Sequence, residues 1–188
     1  MIKTNFFFIL ISVLFLNWNA HADELDKLFL RLKNAENFSK AVKLEKKIWN
    51  IWTTSGSNKK NNLEMYKGIN FLNNGNINNA LSVFLNLCKV EPKWAEPFNK
   101  VATIKFLQKD YITSIKYIKL TLKKESRHFG ALSGLAQINL RLGRFENALK
   151  NVHQALKIHP FIGIKKIIPF LLKKLKKKEI NFHLNFIN

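Results

Sequence analysis

The side chains able to do chemistry are few, and their spacing does not serve it. Cys88 is the single cysteine of 188 residues, so the chain closes no internal disulfide and holds no CxxC pair for redox or zinc chemistry. It follows Leu87 on an apolar stretch, where a thiol packs as a small hydrophobe; pairing with a second chain is the other use open to it. His128, His153, His159 and His183 miss the i, i+4 separation of a helical metal pair, and no HExxH base accompanies them. The 12 acidic residues are scattered, and neither a glycine-rich phosphate loop nor a GxSxG elbow is present. These residues predict no catalytic centre, no metal and no cofactor. An enzyme would need carboxylates brought together from distant positions.

Charge is the second chemical feature, at +20 from 32 basic and 12 acidic residues. A nucleic-acid binder would add a groove-reading helix, an RNA-binding aromatic motif or a zinc ligand set, and the chain has none, so no nucleic acid is expected as partner. Two uses of the excess stay open: a solvated surface, or attraction to an acidic partner or an anionic envelope surface.

The elements that must position any site repeat themselves. Gly68, Ala102 and Ala136 recur at 34-residue intervals, as do Ala80, Ser114 and Ala148, and Pro92, Ser126 and Pro160. Small residues at a fixed phase mark close approach of two helices, and a period of this length belongs to helix-turn-helix units that bury their apolar faces only by stacking. Within a unit, Leu135, Ala136, Ile138, Leu140 and Leu142 fall at helical spacing, Gly143 ends that helix, and Phe145 to Ile158 resumes the period. Gly75 ends the corresponding helix inside the turn-forming run Asn73-Asn74-Gly75-Asn76, and Pro92 and Pro160 follow second helices they cannot continue. The repeated positions build a core rather than a site.

The pattern resembles the tetratricopeptide repeat (TPR) over residues 61–162, in three units at about 61–94, 95–128 and 129–162. Gly68, Phe71, Gly75, Ile77, Ala80, Phe84, Leu87 and Pro92 carry it in the first unit. Leu132, Leu135, Ala136, Gly143, Phe145, Ala148, Val152, Ala155 and Pro160 carry it in the third, with Asn139 at an apolar position. In the second unit Phe98, Val101, Ala102, Tyr111 and Ile118 match, while Lys105, Lys109, Ser114, Thr121 and Ser126 replace the preferred aromatic, glycine, alanines and proline. That irregularity makes the middle unit the expected place for local opening or a specialised contact.

The resemblance implies an all-α, helical-hairpin solenoid that binds a protein or peptide partner in a concave groove and is not an enzyme. By resemblance the inward positions are Asn62, Met65, Ile69, Leu72 and Asn73; Glu96, Asn99, Thr103, Phe106 and Leu107; and Ser133, Gln137, Leu140 and Arg141. Chaperone-binding members grip a terminal carboxylate with lysine and asparagine. Met65, Ile69 and Asn99 mostly lack that clamp, so an extended or helical peptide with apolar side chains fits better.

Non-repeating segments flank the array. Residues 1–22 combine a basic start, the apolar run Phe6 to Leu16 and Ala20-His21-Ala22, which predicts a secretory signal cleaved after Ala22 and a periplasmic protein. An uncleaved anchor is the alternative, although the run is short for a bilayer span. Residues 23–60 read as an N-terminal capping pair of helices. Leu32-Lys33, Ile48-Trp49, Ser55-Gly56-Ser57 and the run Arg127 to Leu132 are similar to small exported tetratricopeptide proteins of alphaproteobacteria. Residues 163–180 read as a basic capping helix, interrupted by Pro169, with a tail at 181–188. Its Lys173, Lys174, Lys176, Lys177 and Lys178 are the candidate contact for an anionic surface.

Overall fold

The computed structural model describes residues 23–185, with side chains described through residue 177. The expected leader, the Lys178 side chain and the end of the chain lie outside the described residues. The chain divides into two compact units between Ile51 and Trp52.

The first unit holds α1 (23–33) and most of α2 (Phe38–Thr53). Leu28, Phe29, Leu32, Ala41, Leu44 and Ile48 are buried at helical spacing, and the Asn37 side chain caps α2 by accepting the Lys40 N–H at 2.9 Å. The unit ends nine residues short of the expected 60/61 boundary, because Trp52 belongs with the helices that follow.

The second unit runs through α3 (Lys59–Asn73), α4 (Ile77–Val90), α5 (Ala95–Leu107), α6 (Tyr111–Lys124), α7 (Phe129–Arg141), α8 (Phe145–Ile158), a 3-10 turn (Gly163–Ile167) and α9 (Ile168–Asn185). α3 pairs with α4, α5 with α6 and α7 with α8, and each second helix also packs on the first helix of the next hairpin. The expected all-α helical-hairpin solenoid is observed. Its core is a chain of three clusters, each joining one hairpin to the next helix: Met65, Phe84, Leu87, Trp94, Val101 and Ile104; then Ala102, Ile118, Ala131 and Ile138; then Ala136, Ala148, Val152 and Leu171. Full burial of a side chain such as Phe84 or Leu87 stabilises by roughly 1.5–3 kcal/mol.

The three hairpin turns share one hydrogen-bond pattern. Gly75, Lys109 and Gly143 have φ of 74°, 62° and 69°, and each donates its N–H to the carbonyl three residues back: Leu72, Phe106 and Leu140. The next N–H of each turn reaches a carbonyl five residues back, as from Asn76 to Phe71 at 2.8 Å, which completes a Schellman closure. Lys109 therefore holds the left-handed conformation that glycine holds in the flanking units, against the clash of its Cβ.

The other irregular positions are also satisfied. Ser114 is fully buried in place of alanine and donates its hydroxyl to the Ala102 carbonyl at 2.7 Å, a bond between the two helices of its hairpin. The Thr121 hydroxyl donates to the Tyr117 carbonyl at 2.9 Å, and Asn139 meets Asn151 across the third hairpin at 2.9 Å. Each of these three buried polar side chains has a partner.

The C-terminal expectation needs correction. The segment from 163 is not one helix ending at 180: the 3-10 turn comes first, and α9 starts at Ile168 and continues to Asn185, into the expected tail. Pro169 explains the start, since a proline is accommodated in a first turn where its missing N–H leaves no bond unmade. Neither glycine nor proline follows to stop the helix. Leu171 is fully buried on Ala136, Ala148 and Val152, with Ile164, Ile167 and Ile168 beside it, so α9 closes the array. Among the described residues no helix is long and apolar enough to cross a membrane.

Candidate functional site

The expected groove residues divide into a closed set and an open set. Met65, in the middle of α3, is fully buried in the first core cluster and is a core residue rather than a groove residue. The Asn62 amide oxygen accepts the Gly56 N–H at 2.8 Å, which fixes the turn leading into α3. A Cβ on Gly56 would meet that same oxygen at 2.6 Å and the Trp94 ring at 2.9 Å.

Glu96 and Asn99, on the first turns of α5, lie in a buried polar cluster. Glu96 is 0% exposed; its Oε2 stands 2.9 Å from His128 Nε2 and 3.2 Å from the Asn99 amide nitrogen, and its Oε1 stands 3.0 Å from Lys100 Nζ. His128 caps α7: its Nδ1 accepts the Ala131 N–H at 3.1 Å, so the Nε2–H tautomer donates to Glu96. Burial alone would raise the Glu96 carboxyl. The hydrogen bond from His128 and the charge of Lys100 outweigh burial and hold it below the ordinary glutamate value.

Aromatic rings close this end. The Trp52 indole stacks on the His128 ring with centroids 4.0 Å apart and planes 6° from parallel, and it tilts against Phe129 at 5.0 Å. Phe129 meets the buried His159 ring edge-on at 5.3 Å, and Trp94 Nε1–H donates to the Trp52 carbonyl at 2.6 Å. Sequence reasoning missed Trp52, Trp94 and His128 as a group. One signal was available: Trp94 and His128 lie 34 residues apart, a ring at the start of the first helix in two successive units.

The open set lies toward the C-terminal ends of the same first helices. Ile69, Leu72, Phe106 and Leu140 are half-buried on the core clusters, and Asn73, Thr103, Leu107, Gln137 and Arg141 are exposed. The structure brings Phe106 of α5 and Arg141 of α7 together, with the guanidinium 5.1 Å from the ring centroid and Tyr111 on another side of the ring at 5.9 Å. Such a cation–π contact contributes about 0.5–1 kcal/mol at an exposed site. Among the described residues Arg141 makes no ion pair. The hydroxyls of Thr103 and half-buried Ser133 donate to carbonyls one turn back in their own helices, Asn99 at 3.0 Å and Phe129 at 2.8 Å.

Elsewhere the chemistry is spare. Cys88 is half-buried beside the first core cluster, and burial pushes its thiol up to about 12. Among the described residues no group of three or more His, Cys, Asp and Glu could hold a metal ion. Lys173, Lys174, Lys176 and Lys177 are exposed on α9, with Lys174 Nζ 5.3 Å above the Phe170 ring. The apolar stripe that an interfacial helix would insert into lipid is occupied instead in closing the array.

Comparison with known proteins gives a consistent set of likenesses. No family model matches the chain. It is 35% identical over 138 residues to a TPR repeat-containing protein of Rhizobium etli, an alignment covering 72% of this chain and 66% of the relative. The chain thus spans just under two thirds of that relative's length. Among solved structures, the first TPR of Spaghetti (RPAP3) bound to the HSP90 peptide SRMEEVD superposes with a TM-score of 0.59 at 16% identity, over 63% of this chain and 94% of that one. The MamA protein superposes at 0.52 and 16% identity, over 82% and 90%. At that identity the two structures speak for the fold alone.

Proposed function

We propose, because this chain belongs to the tetratricopeptide-repeat family, that it is a protein–protein interaction scaffold whose groove holds an extended peptide segment of a partner on the open ends of α5 and α7. The observation that carries this reading is the Phe106–Arg141 platform, where an exposed guanidinium with no ion pair among the described residues is held 5.1 Å over a half-buried ring between two units. An apolar side chain of the peptide lies against Phe106 and exposed Leu107, and an acidic group following it meets Arg141. The exposed Gln137 amide bonds the peptide backbone. The closed cluster around Glu96 and His128 sets the limit of the groove.

Affinity capture from the native envelope, comparing the parent chain with Phe106→Ala and Arg141→Glu, tests this. Both variants are expected to lose the partner while keeping the parent melting temperature within a few degrees. A partner retained equally by both removes the groove as its site. The expected leader makes the periplasm the compartment in which that partner is sought. Accumulation in the periplasmic fraction, abolished by deleting residues 1–22, is the corresponding test.

A further inference from the structure

The charge is not evenly distributed along the chain. Sixteen lysines and arginines follow Asp110, against Glu125, Glu146 and Glu179 alone. Glu125 is already held by Arg127 at 2.9 Å, so the chain after Asp110 carries an almost uncompensated positive field.

Within that field lies a groove of about 480 Å³ between α8 and α9. Half-buried Leu149 and Leu175 form its apolar floor, and exposed Glu146, Lys150, His153, Gln154 and Lys157 form its α8 wall, two lysines against one carboxylate. α9 covers α8 through Leu171 and Ile168 but leaves this strip open. The repeat-equivalent strip of α6, along Ile112, Ile115, Lys116, Lys119 and Lys123, is open as well, whereas the α8 strip is bordered by a second helix through Leu175 of α9. Lys150 and Lys157 stand two turns apart on one helix face, which is about 10.5 Å of axial rise.

We propose that the α8–α9 groove docks an acidic amphipathic α-helix of a partner protein. Apolar side chains of the incoming helix lie on Leu149 and Leu175, and carboxylates at i and i+7 meet Lys157 and Lys150 together. The spacing selects a helix because an extended strand covers the same rise in about three residues. Charge selects the occupant. A second copy of this chain, itself at +20, is repelled from the site, and a flat lipid surface has no side chains to fill a groove between two helices. This surface is separate from the peptide platform on α5 and α7 and stands or falls without it.

The test uses the full chain and a designed acidic helix of about 17 residues, with leucines at i, i+4 and i+7 and glutamates on its flanks. A scrambled peptide of the same composition and vesicles of mixed phosphatidylglycerol and phosphatidylcholine are the comparison probes. Binding is read by fluorescence anisotropy for the peptides and by co-sedimentation for the vesicles, at about 0.15 M salt. The ordered helix is expected to bind at least about tenfold more tightly than the scramble. Lys150→Glu with Lys157→Glu, both on exposed positions, is expected to remove that advantage with an unchanged melting temperature, and Leu149→Ala to reduce it. Equal affinity for helix and scramble would reduce the site to bulk charge and overturn the proposal. So would a helix that binds the double variant as well as the parent, or a chain that ignores the helix and sediments with the vesicles.

Discussion

Glu96 and His128 are both fully buried and face each other at 2.9 Å across two successive first helices, so the step from the second repeat to the third is held by a charged hydrogen bond rather than by apolar contact alone. A buried carboxylate is costly unless its bonds are made, and here His128, Lys100 and Asn99 make them. Removing the ring with His128→Ala also removes the α7 cap and the Trp52 stack, and is expected to destabilise by about 3–5 kcal/mol in urea unfolding. Changing both members, Glu96→Leu with His128→Phe, leaves no orphaned charge and is expected to cost far less than the sum of the single changes.

The same pair predicts an acid response. The folded-state value of Glu96 is depressed, so its contribution to stability is complete above the ordinary glutamate range near 4.5 and is lost as pH falls through the lower folded value. Urea midpoints measured from pH 6 downward are expected to fall more steeply below about pH 4.5 for the parent than for Glu96→Gln. Parallel curves would show that Glu96 is not depressed in the folded chain.

What the sequence shows of this fold is what local physics decides. Gly75 and Gly143 end helices because a turn of that hydrogen-bond pattern needs positive φ, and Gly68, Ala80, Ala136 and Ala148 mark close helix approach because larger residues do not fit. Both constraints act within one hairpin, so a single strand of sequence displays them at a fixed period. The groove is different. Assigning Glu96 and Asn99 to an open face presumes that nothing covers the first turns of α5, whereas His128, with Trp52 stacked on it from 76 residues away, bonds Glu96 there, and Met65 is taken up by the core cluster that joins α3 to α4 and α5. The resemblance marks both Phe106 and Arg141 as inward-facing, but their contact depends on the offset between two hairpins, which no spacing encodes.

Lys109 is the position where the middle unit departs most from its neighbours in backbone terms. It holds φ of 62° where the other two turns have glycine. Lys109→Gly is expected to stabilise the chain by about 1 kcal/mol by relieving the left-handed strain, less the entropy that glycine gains in the unfolded state. Gly75→Ala and Gly143→Ala have open space around the new Cβ and are expected to destabilise through backbone strain alone. Thermal melts of the three variants separate strain from crowding. Hydrogen exchange adds a second readout, with faster opening expected in α5 and α6 of the parent than in Lys109→Gly.

Cys88 has the profile of a structural thiol. It is half-buried and burial pushes its pKa to about 12, so the reactive thiolate is scarce at neutral pH. An aromatic disulfide reagent at pH 8 is expected to label the folded chain at the rate of global or local opening, and the urea-unfolded chain at the rate of a free thiol. Labelling of the folded chain at the unfolded rate, or a disulfide-linked dimer under non-reducing conditions, would assign Cys88 to pairing between chains.

Two glycines in the first helices of the first and third units make a direct test of close packing, because their surroundings differ. A Cβ at Gly68 would stand 2.6 Å from Cε1 and 2.8 Å from Cζ of Phe84, whose ring is fully buried, and 3.0 Å from Cγ1 of Val83. A Cβ at Gly134 meets Ile118 Cδ1 alone, at an ordinary 3.5 Å. Both changes to alanine gain about 0.5–1 kcal/mol of helix propensity. At Gly68 overpacking of about 1–3 kcal/mol exceeds that gain, so Gly68→Ala is expected to destabilise, and Phe84→Leu to recover part of the loss by making room. At Gly134 nothing opposes the gain, and the alanine is expected to stabilise. Chemical denaturation of both variants decides the matter: the same sign at the two positions would mean that the Gly68–Phe84 contact does not set the approach of α3 and α4.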